Sequence, residues 1–181
     1  MKITVFGGST PKPGDQVYDD ALLLGKLLGA SGHTVLNGGY TGTMEAVSRG
    51  ASEAGAHVIG VTCGQIENWR KSGANQWVTE VWRCETLDER IRTMIDHCDV
   101  AIALPGGVGT LTEIMAYWNR LAIRSMKKHP LIVIGRGWHE VLGTFISSQG
   151  EFLAPDDKKS IAFAEDVQAA VKMIEKVAVK P

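Results

Sequence analysis

The chain has 181 residues, of which 44% are apolar and 22% charged, and its formal net charge is −1. Such a chain is expected to form one domain, residues 1–181, with its own core, and its charge gives no electrostatic support for non-specific binding to nucleic acid or to an anionic membrane. No apolar run approaches the ~20 residues of a membrane span, no secretory apolar region precedes the first strand, and Cys63, Cys84 and Cys98 lack metal-ligand spacing, so a cytoplasmic protein with reduced thiols is expected.

In chain order, residues 2–6 read as a buried strand that ends at Gly7-Gly8-Ser9. Asp15 then stands as the N-cap of a helix with Val17, Ala21, Leu22, Leu24, Leu27 and Leu28 on its apolar face. Residues 34–36 form a second strand ending at Asn37-Gly38-Gly39, and residues 43–54 a helix. A third strand covers residues 57–61. Residues 62–76 read as a polar, irregular connection. A short strand at 77–82, a helix at 87–98 and a buried strand at 99–103 follow. The next helix starts near Val108 and carries Leu111, Ile114, Met115, Trp118, Leu121 and Ala122. A strand at 131–134, a helix at 138–148, a short strand at 160–163 and a helix at 167–177 complete the chain. This alternation of strand and helix predicts an α/β fold, a doubly wound, mainly parallel sheet with helices on both faces.

Ligands of open parallel sheets bind beyond the carboxyl ends of the strands. Three glycine turns fall there: Gly7-Gly8-Ser9, Gly38-Gly39-Tyr40-Thr41-Gly42 before Thr43, and Gly106-Gly107-Val108-Gly109-Thr110. Each alone satisfies the geometry of a short strand–helix loop. Together they predict a phosphate or nucleotide site, since free N–H groups and the helix dipole favour an anion there. Gly106, Gly107, Val108, Gly109 and Thr110 are the expected cradle, with Gly8, Ser9, Gly38, Gly39, Gly42 and Thr43 beside it. The dinucleotide fingerprint and the Walker lysine pattern are both absent. Glu113 lies about one turn into the helix. A phosphate would repel it, so it is expected to face another part of the same ligand.

The Gly38-Gly39-x-x-Gly42 turn, the helix with Arg90 and Met94, and Pro105-Gly106-Gly107-Val108-Gly109-Thr110-x-x-Glu113 occur in an order that resembles the Lonely Guy family, long labelled lysine decarboxylase-like. The resemblance runs from about residue 2 to about residue 150. It implies a Rossmann-like homodimer that binds a nucleoside 5′-monophosphate and hydrolyses its N-glycosidic bond, giving free base and ribose 5-phosphate. It also implies that Glu113 is the catalytic glutamate and that Arg90 is the arginine of the segment usually written Met-His-x-Arg-Lys-x-x-Met. Here that segment is Leu87-Asp88-Glu89-Arg90-Ile91-Arg92-Thr93-Met94, with Asp88 and Ile91 in place of histidine and lysine. Thr79-Glu80-Val81 resembles the family's Gly-Glu-Val. Where the family has a proline and an acid that help hold the base, this chain has Trp69, Arg70 and Lys71.

In such a hydrolase a carboxylate near the ribose stabilises an oxocarbenium-like transition state and orients water. Arg90 is expected to pair with Glu113 and hold it ionised, or to contact the ligand. The plainer alternatives are a Glu113 that only complements the helix dipole and an Arg90 that pairs on the surface with Asp88 or Glu89. No cofactor or metal is expected. Lysine decarboxylation is rejected because Lys12, Lys26, Lys71, Lys127 and Lys128 fall in polar loops or on helix surfaces, without the setting of a Schiff-base lysine. Arg120, Arg124, Lys127 and Lys128 read as a solvated, dipole-complementing helix end, and His33, His57, His97, His129 and His139 as scattered. Two further readings stay open: a non-catalytic nucleotide sensor or carrier on the same fold, and a single-strand DNA-processing protein, which the composition disfavours.

Overall fold

A computed structural model describes residues 1–70, 73–126 and 130–178. Seven strands form one sheet: β1 (Lys2–Phe6), β2 (Thr34–Asn37), β3 (Val58–Cys63), β4 (Glu80–Cys84), β5 (Val100–Ala103), β6 (Leu131–Ile134) and β7 (Ile161–Ala164). Their order is β4-β3-β2-β1-β5-β6-β7, and every pairing is parallel. The expected doubly wound sheet is therefore present. Parallel strands covered on both faces carry no alternation of polar and apolar residues; β5 and β6 are buried at every position.

The helices are α1 (Gln16–Ala30), α2 (Thr43–Glu53), α3 (Gly64–Arg70), α4 (Leu87–Asp96), α5 (Val108–Ala122), α6 (Arg136–Ser148), α7 (Pro155–Lys158) and α8 (Val167–Ala178). One core layer joins α1, α2 and α8 to the sheet through Leu24, Leu28, Val47 and Ile174. The other joins α4, α5 and α6 through Met94, Ile114, Tyr117 and Leu142. Among the described residues no helix is long and apolar enough to cross a membrane.

Several boundaries differ from the sequence reading. On α1 it is Tyr18, not Val17, that is buried, together with Ala21, Leu24 and Leu28. Asp15 has the extended backbone of an N-cap, but its carboxylate accepts the N–H of Lys12 at 2.8 Å instead of a helix N–H. The irregular connection expected at 62–76 is in part ordered: β3 runs on to Cys63 and α3 follows at once. A helix of seven residues is too short to show a hydrophobic period. The strand expected at 77–82 starts at Glu80, because Asn75 turns the preceding chain. Asn75 donates its backbone N–H to Gly39 O at 2.7 Å and its side-chain amide to Gly39 O at 3.0 Å and Tyr40 O at 2.9 Å, while its Oδ1 accepts from Trp77 N at 3.1 Å.

This topology sets up the site. The strand order reverses between β1 and β5, so the chain leaves the carboxyl ends of these neighbours toward opposite sides, and the loops part to leave a crevice. After edge strand β4, α4 runs back across the sheet to reach β5. It passes beneath β3 and comes alongside α5.

Candidate active site

At the carboxyl edge the turns after β1 and β5 touch. Gly8 donates its N–H to Pro105 O at 3.2 Å, and Leu104 donates to Phe6 O at 2.9 Å. The contact needs glycine: a Cβ on Gly106 would stand 2.9 Å from Gly8 N and would overlap the Thr110 hydroxyl. Gly107 then caps α5, and Gly107, Val108 and Gly109 are exposed. The first turn of a helix leaves its N–H groups without intrahelical partners, and here they face a cleft of about 360 Å³. Gly7, Gly8, Ser9 and Thr10 line the same cleft with Thr110, Thr112, Arg90 and Glu113.

The Gly38–Thr43 turn has a different place. Gly39 gives its N–H to Asn37 Oδ1 at 2.7 Å. Thr43 gives both its N–H, at 2.9 Å, and its hydroxyl, at 3.0 Å, to Gly8 O. Gly42, at φ +73°, packs on the backbone of Gly8 and Ser9. Of the predicted phosphate residues, then, Gly8, Ser9, Gly107, Val108, Gly109 and Thr110 face the cleft. Gly38, Gly39, Gly42 and Thr43 are buried behind it and hold the turns together, and Gly106 is exposed at the seam of the β1 and β5 turns without lining the cleft. Gly38 has a further role, because any side chain there would collide with the guanidinium of Arg90.

Arg90 and Glu113 meet between α4 and α5. Thr86 starts α4 by accepting the N–H of Glu89 at 3.2 Å, while Glu89 accepts from Glu85 N at 3.0 Å, a close relative of the capping box. Glu89 is thereby committed to the cap, and Arg90 turns inward, 4% exposed. Its Nε donates to Val61 O at 2.7 Å, and its guanidinium lies 5.4 Å from the centre of the Tyr40 ring. The Tyr40 hydroxyl is itself locked, accepting from Cys63 N at 2.7 Å and donating to Cys63 O at 3.2 Å. Glu113 Oε1 lies 3.7 Å from Arg90 Nη1.

Glu113 is 8% exposed. Burial pushes its carboxyl up from 4.5 to about 7, and Arg90 offsets this only in part. Desolvation therefore outweighs the pairing that was expected to keep the acid ionised. The result is a carboxyl poised to change charge near neutrality in a cleft that opens onto the first turn of a helix, an arrangement that suits acid–base or electrostatic catalysis. Among the described residues no group of three or more His, Cys, Asp and Glu is placed to hold a metal.

The sequence reading did not place Thr10, Tyr40, Met44, Ile66, Leu87 or Ile91 in the cleft; Trp69, which the resemblance sets where the family holds the base, lines it with them. Tyr40 carried a usable signal, an aromatic inside a glycine turn. Trp118, by contrast, is core as expected, 4% exposed, with Nε1 donating to Asp157 O at 2.9 Å. Arg120 pairs with Asp96. Lys71, Lys127, Lys128 and His129 lie outside the described residues. A wider depression, about 750 Å³, lies at the opposite edge by Lys2, Thr34 and Asp99 and contains none of the predicted site residues.

Three comparisons bear on this site. The family model described as "Possible lysine decarboxylase" matches residues 44–174. The cytokinin riboside 5′-monophosphate phosphoribohydrolase LOG3 of Arabidopsis thaliana is 32% identical over 98% of this chain and 83% of its own length. The rice (Oryza sativa) protein LOG, of the same description, is 33% identical over 96% of this chain and 72% of its own. Among solved structures, the molybdenum cofactor carrier protein of Chlamydomonas reinhardtii superimposes with a TM-score of 0.75 over 99% of this chain and 98% of its own, at 23% identity, a likeness of fold.

Proposed function

The chain belongs to the Lonely Guy family, whose model carries the lysine decarboxylase label, and from that premise we propose that it hydrolyses the N-glycosidic bond of a nucleoside 5′-monophosphate, releasing free base and ribose 5-phosphate. The observation that carries the proposal is the buried Glu113–Arg90 pair, 3.7 Å apart, at the floor of a cleft that opens onto the first turn of α5. The 5′-phosphate lies on the N–H groups of Gly107, Val108, Gly109 and Thr110, with Ser9 opposite. This remote contact holds the ribose over Glu113, and its binding energy positions the reacting bond. As the bond from C1′ to the base nitrogen lengthens, positive charge grows on the ribose. The Glu113 carboxylate stabilises that charge in a site of low dielectric and orients the water whose oxygen joins C1′. Arg90, held by Val61 O and the Tyr40 ring, keeps the carboxylate aimed.

Lysine decarboxylation has little to support it. It needs a Schiff-base lysine, and among the described residues none lines the cleft. The same reading includes a homodimer in the cytoplasm as the working form, and it binds neither membrane nor nucleic acid. The test is incubation of the pure protein with AMP and other 5′-monophosphates, measuring free base and ribose 5-phosphate. Turnover is expected, and Glu113→Ala is expected to abolish it while nucleotide still binds. Tight binding with no release of base from any monophosphate would overturn the hydrolase and leave the sensor or carrier reading in its place.

A further inference from the structure

Cys63 and Cys84 stand side by side at the ends of β3 and β4, paired in register in the parallel ladder. Register partners point to one face of the sheet, and here it is the face under α4, two residues on from Val61 and Trp82. The strand spacing of ~4.8 Å falls within the ~4.4–6.8 Å between Cα atoms that a disulfide spans. Both thiols are free and buried. They face different partners: Cys63 Sγ donates to Glu85 O at 3.7 Å, and Cys84 Sγ lies 3.6 Å from Thr93 Oγ1. The segments that follow keep the strand ends together. Gln65 Oε1 accepts the N–H of Leu87 at 2.9 Å, and Glu67 Oε2 accepts from Arg83 Nε at 3.0 Å. The third cysteine, Cys98, lies beyond the far end of α4.

Cys63 also anchors the floor of the cleft. Its N–H donates to the Tyr40 hydroxyl at 2.7 Å, and its carbonyl accepts from the same hydroxyl at 3.2 Å. The Tyr40 ring carries the Arg90 guanidinium, whose Nε donates to Val61 O two residues before Cys63. A covalent link at Cys63 therefore acts on the seat of Arg90 without touching it.

We propose that Cys63 and Cys84 form a reversible oxidation site, closed to a disulfide by a hydroperoxide, that loosens the seat of Arg90 and so regulates the cleft. Cys84 reacts first, because it lies on edge strand β4 and keeps 5% of its surface exposed while Cys63 keeps none. Its sulfur attacks a peroxide oxygen and the O–O bond breaks. The leaving oxygen takes the thiol proton, and a sulfenic acid remains on Cys84. With hydrogen peroxide the leaving group is water. The Cys63 sulfur then attacks the Cys84 sulfur, the S–O bond breaks, and the hydroxyl leaves with the Cys63 proton as a second water. The two sulfurs give up two electrons and the peroxide gains them. To bond, the Cβ atoms close from about the strand spacing to ~3.8 Å, a movement of ~1 Å. Cys63 Sγ leaves Glu85 O, and the Cys63 N–H is drawn away from the Tyr40 hydroxyl. A backbone N–H bond holds only to about 3.2 Å.

The disulfide and the loosening at Tyr40 stand apart from the nucleotide reading; the effect on ligand binding rests on it. The test uses Glu113→Gln protein, in which AMP stays intact, treated with hydrogen peroxide and then with dithiothreitol. Peptide mass mapping is expected to show a Cys63–Cys84 link that dithiothreitol reverses, with Cys98 still a thiol. On oxidation, amide exchange at Cys63, read by NMR, is expected to speed up by about tenfold or more. AMP affinity in equilibrium dialysis is expected to fall by about tenfold. Adding Cys84→Ser or Cys63→Ala is expected to remove both responses, and adding Cys98→Ser to leave them in place. No link, a link through Cys98, unchanged exchange at Cys63, or AMP bound equally before and after oxidation would each overturn the proposal. Absence of AMP binding before oxidation defeats the nucleotide reading, while the link and the Cys63 exchange still decide this one.

Discussion

Glu113 shows how one residue's chemistry depends on where the chain puts it. Its carboxyl is buried, and Arg90 at 3.7 Å returns only part of the lost hydration, so it titrates near 7. The ionised form is the one that stabilises a cationic ribose, so kcat/KM is expected to rise with pH through about 7. Removing the guanidinium removes the one contribution that lowers this value. Arg90→Ala is therefore expected to move the acidic limb to higher pH, and a pH–rate profile checks this; an unmoved limb would detach Arg90 from the titration. Stability follows the same group in the opposite sense. A carboxyl whose folded value is raised contributes stability that is fully present below 4.5 and lost as pH rises through about 7. Glu113→Gln is thus expected to gain on the wild type in denaturant melts at pH 8 and to match it at pH 4.5. Glu113 and Arg90 could both be named from the sequence. That Arg90 packs on the Tyr40 ring and donates to Val61 O could not be read there, because these partners are 50 and 29 residues from Arg90 along the chain.

At the scale of elements, the ends of α4 and α5 carry the argument. Thr86 and Glu89 were available as a start signal, and recognising them would have placed Arg90 one residue past a committed cap. The end of α5 is less economical. Ser125 donates to Arg120 O at 3.1 Å and Arg124 to Leu121 O at 3.1 Å, the paired bonds of a Schellman motif. The left-handed position of that motif is held by Arg124, at φ +56°, where glycine costs nothing. Arg124→Gly is expected to stabilise the protein by roughly 1 kcal/mol, read as a higher Tm with unchanged ligand binding. The basic residues here were expected to serve the helix dipole; Arg120 lies in the last turn of α5 and also pairs with Asp96 across to α4. The α3 helix escaped the sequence reading for a plain reason. Seven residues give fewer than two turns, and its stability comes from pins on α4 and β4.

For the whole molecule, the decisive feature is the junction of β1 and β5, where the sheet changes winding direction. The two halves of the chain meet there through Gly8, Gly106 and Thr110, and the cleft opens beside that seam. Gly106→Ala brings a methyl against Gly8 N and the Thr110 hydroxyl. The expected result is a cost of about 1–3 kcal/mol from overpacking, seen as a lower Tm, together with a loss of affinity for ribose 5-phosphate. Full affinity in a well-folded variant would move the phosphate away from this turn.

The order of the seven strands and of the six longer helices, the burial of the central strands on both faces, the glycine turns at one edge and the candidacy of Glu113 and Arg90 were legible in the linear chain. They rest on local patterns: period, caps, and residues that cannot sit elsewhere. What the tertiary structure alone decided is which turns face the cleft. Gly38, Gly39, Gly42 and Thr43 look like a second cradle in sequence, yet the Gly39 N–H goes to Asn37, the Thr43 N–H and hydroxyl go to Gly8, Gly42 packs on Gly8 and Ser9, and Gly38 makes room for Arg90. Folding also brought α3 against α4 and so placed Trp69 in the cleft. A glycine turn has the same local signature whether its N–H groups point to a ligand or to another loop, and only the packing of distant segments settles the direction.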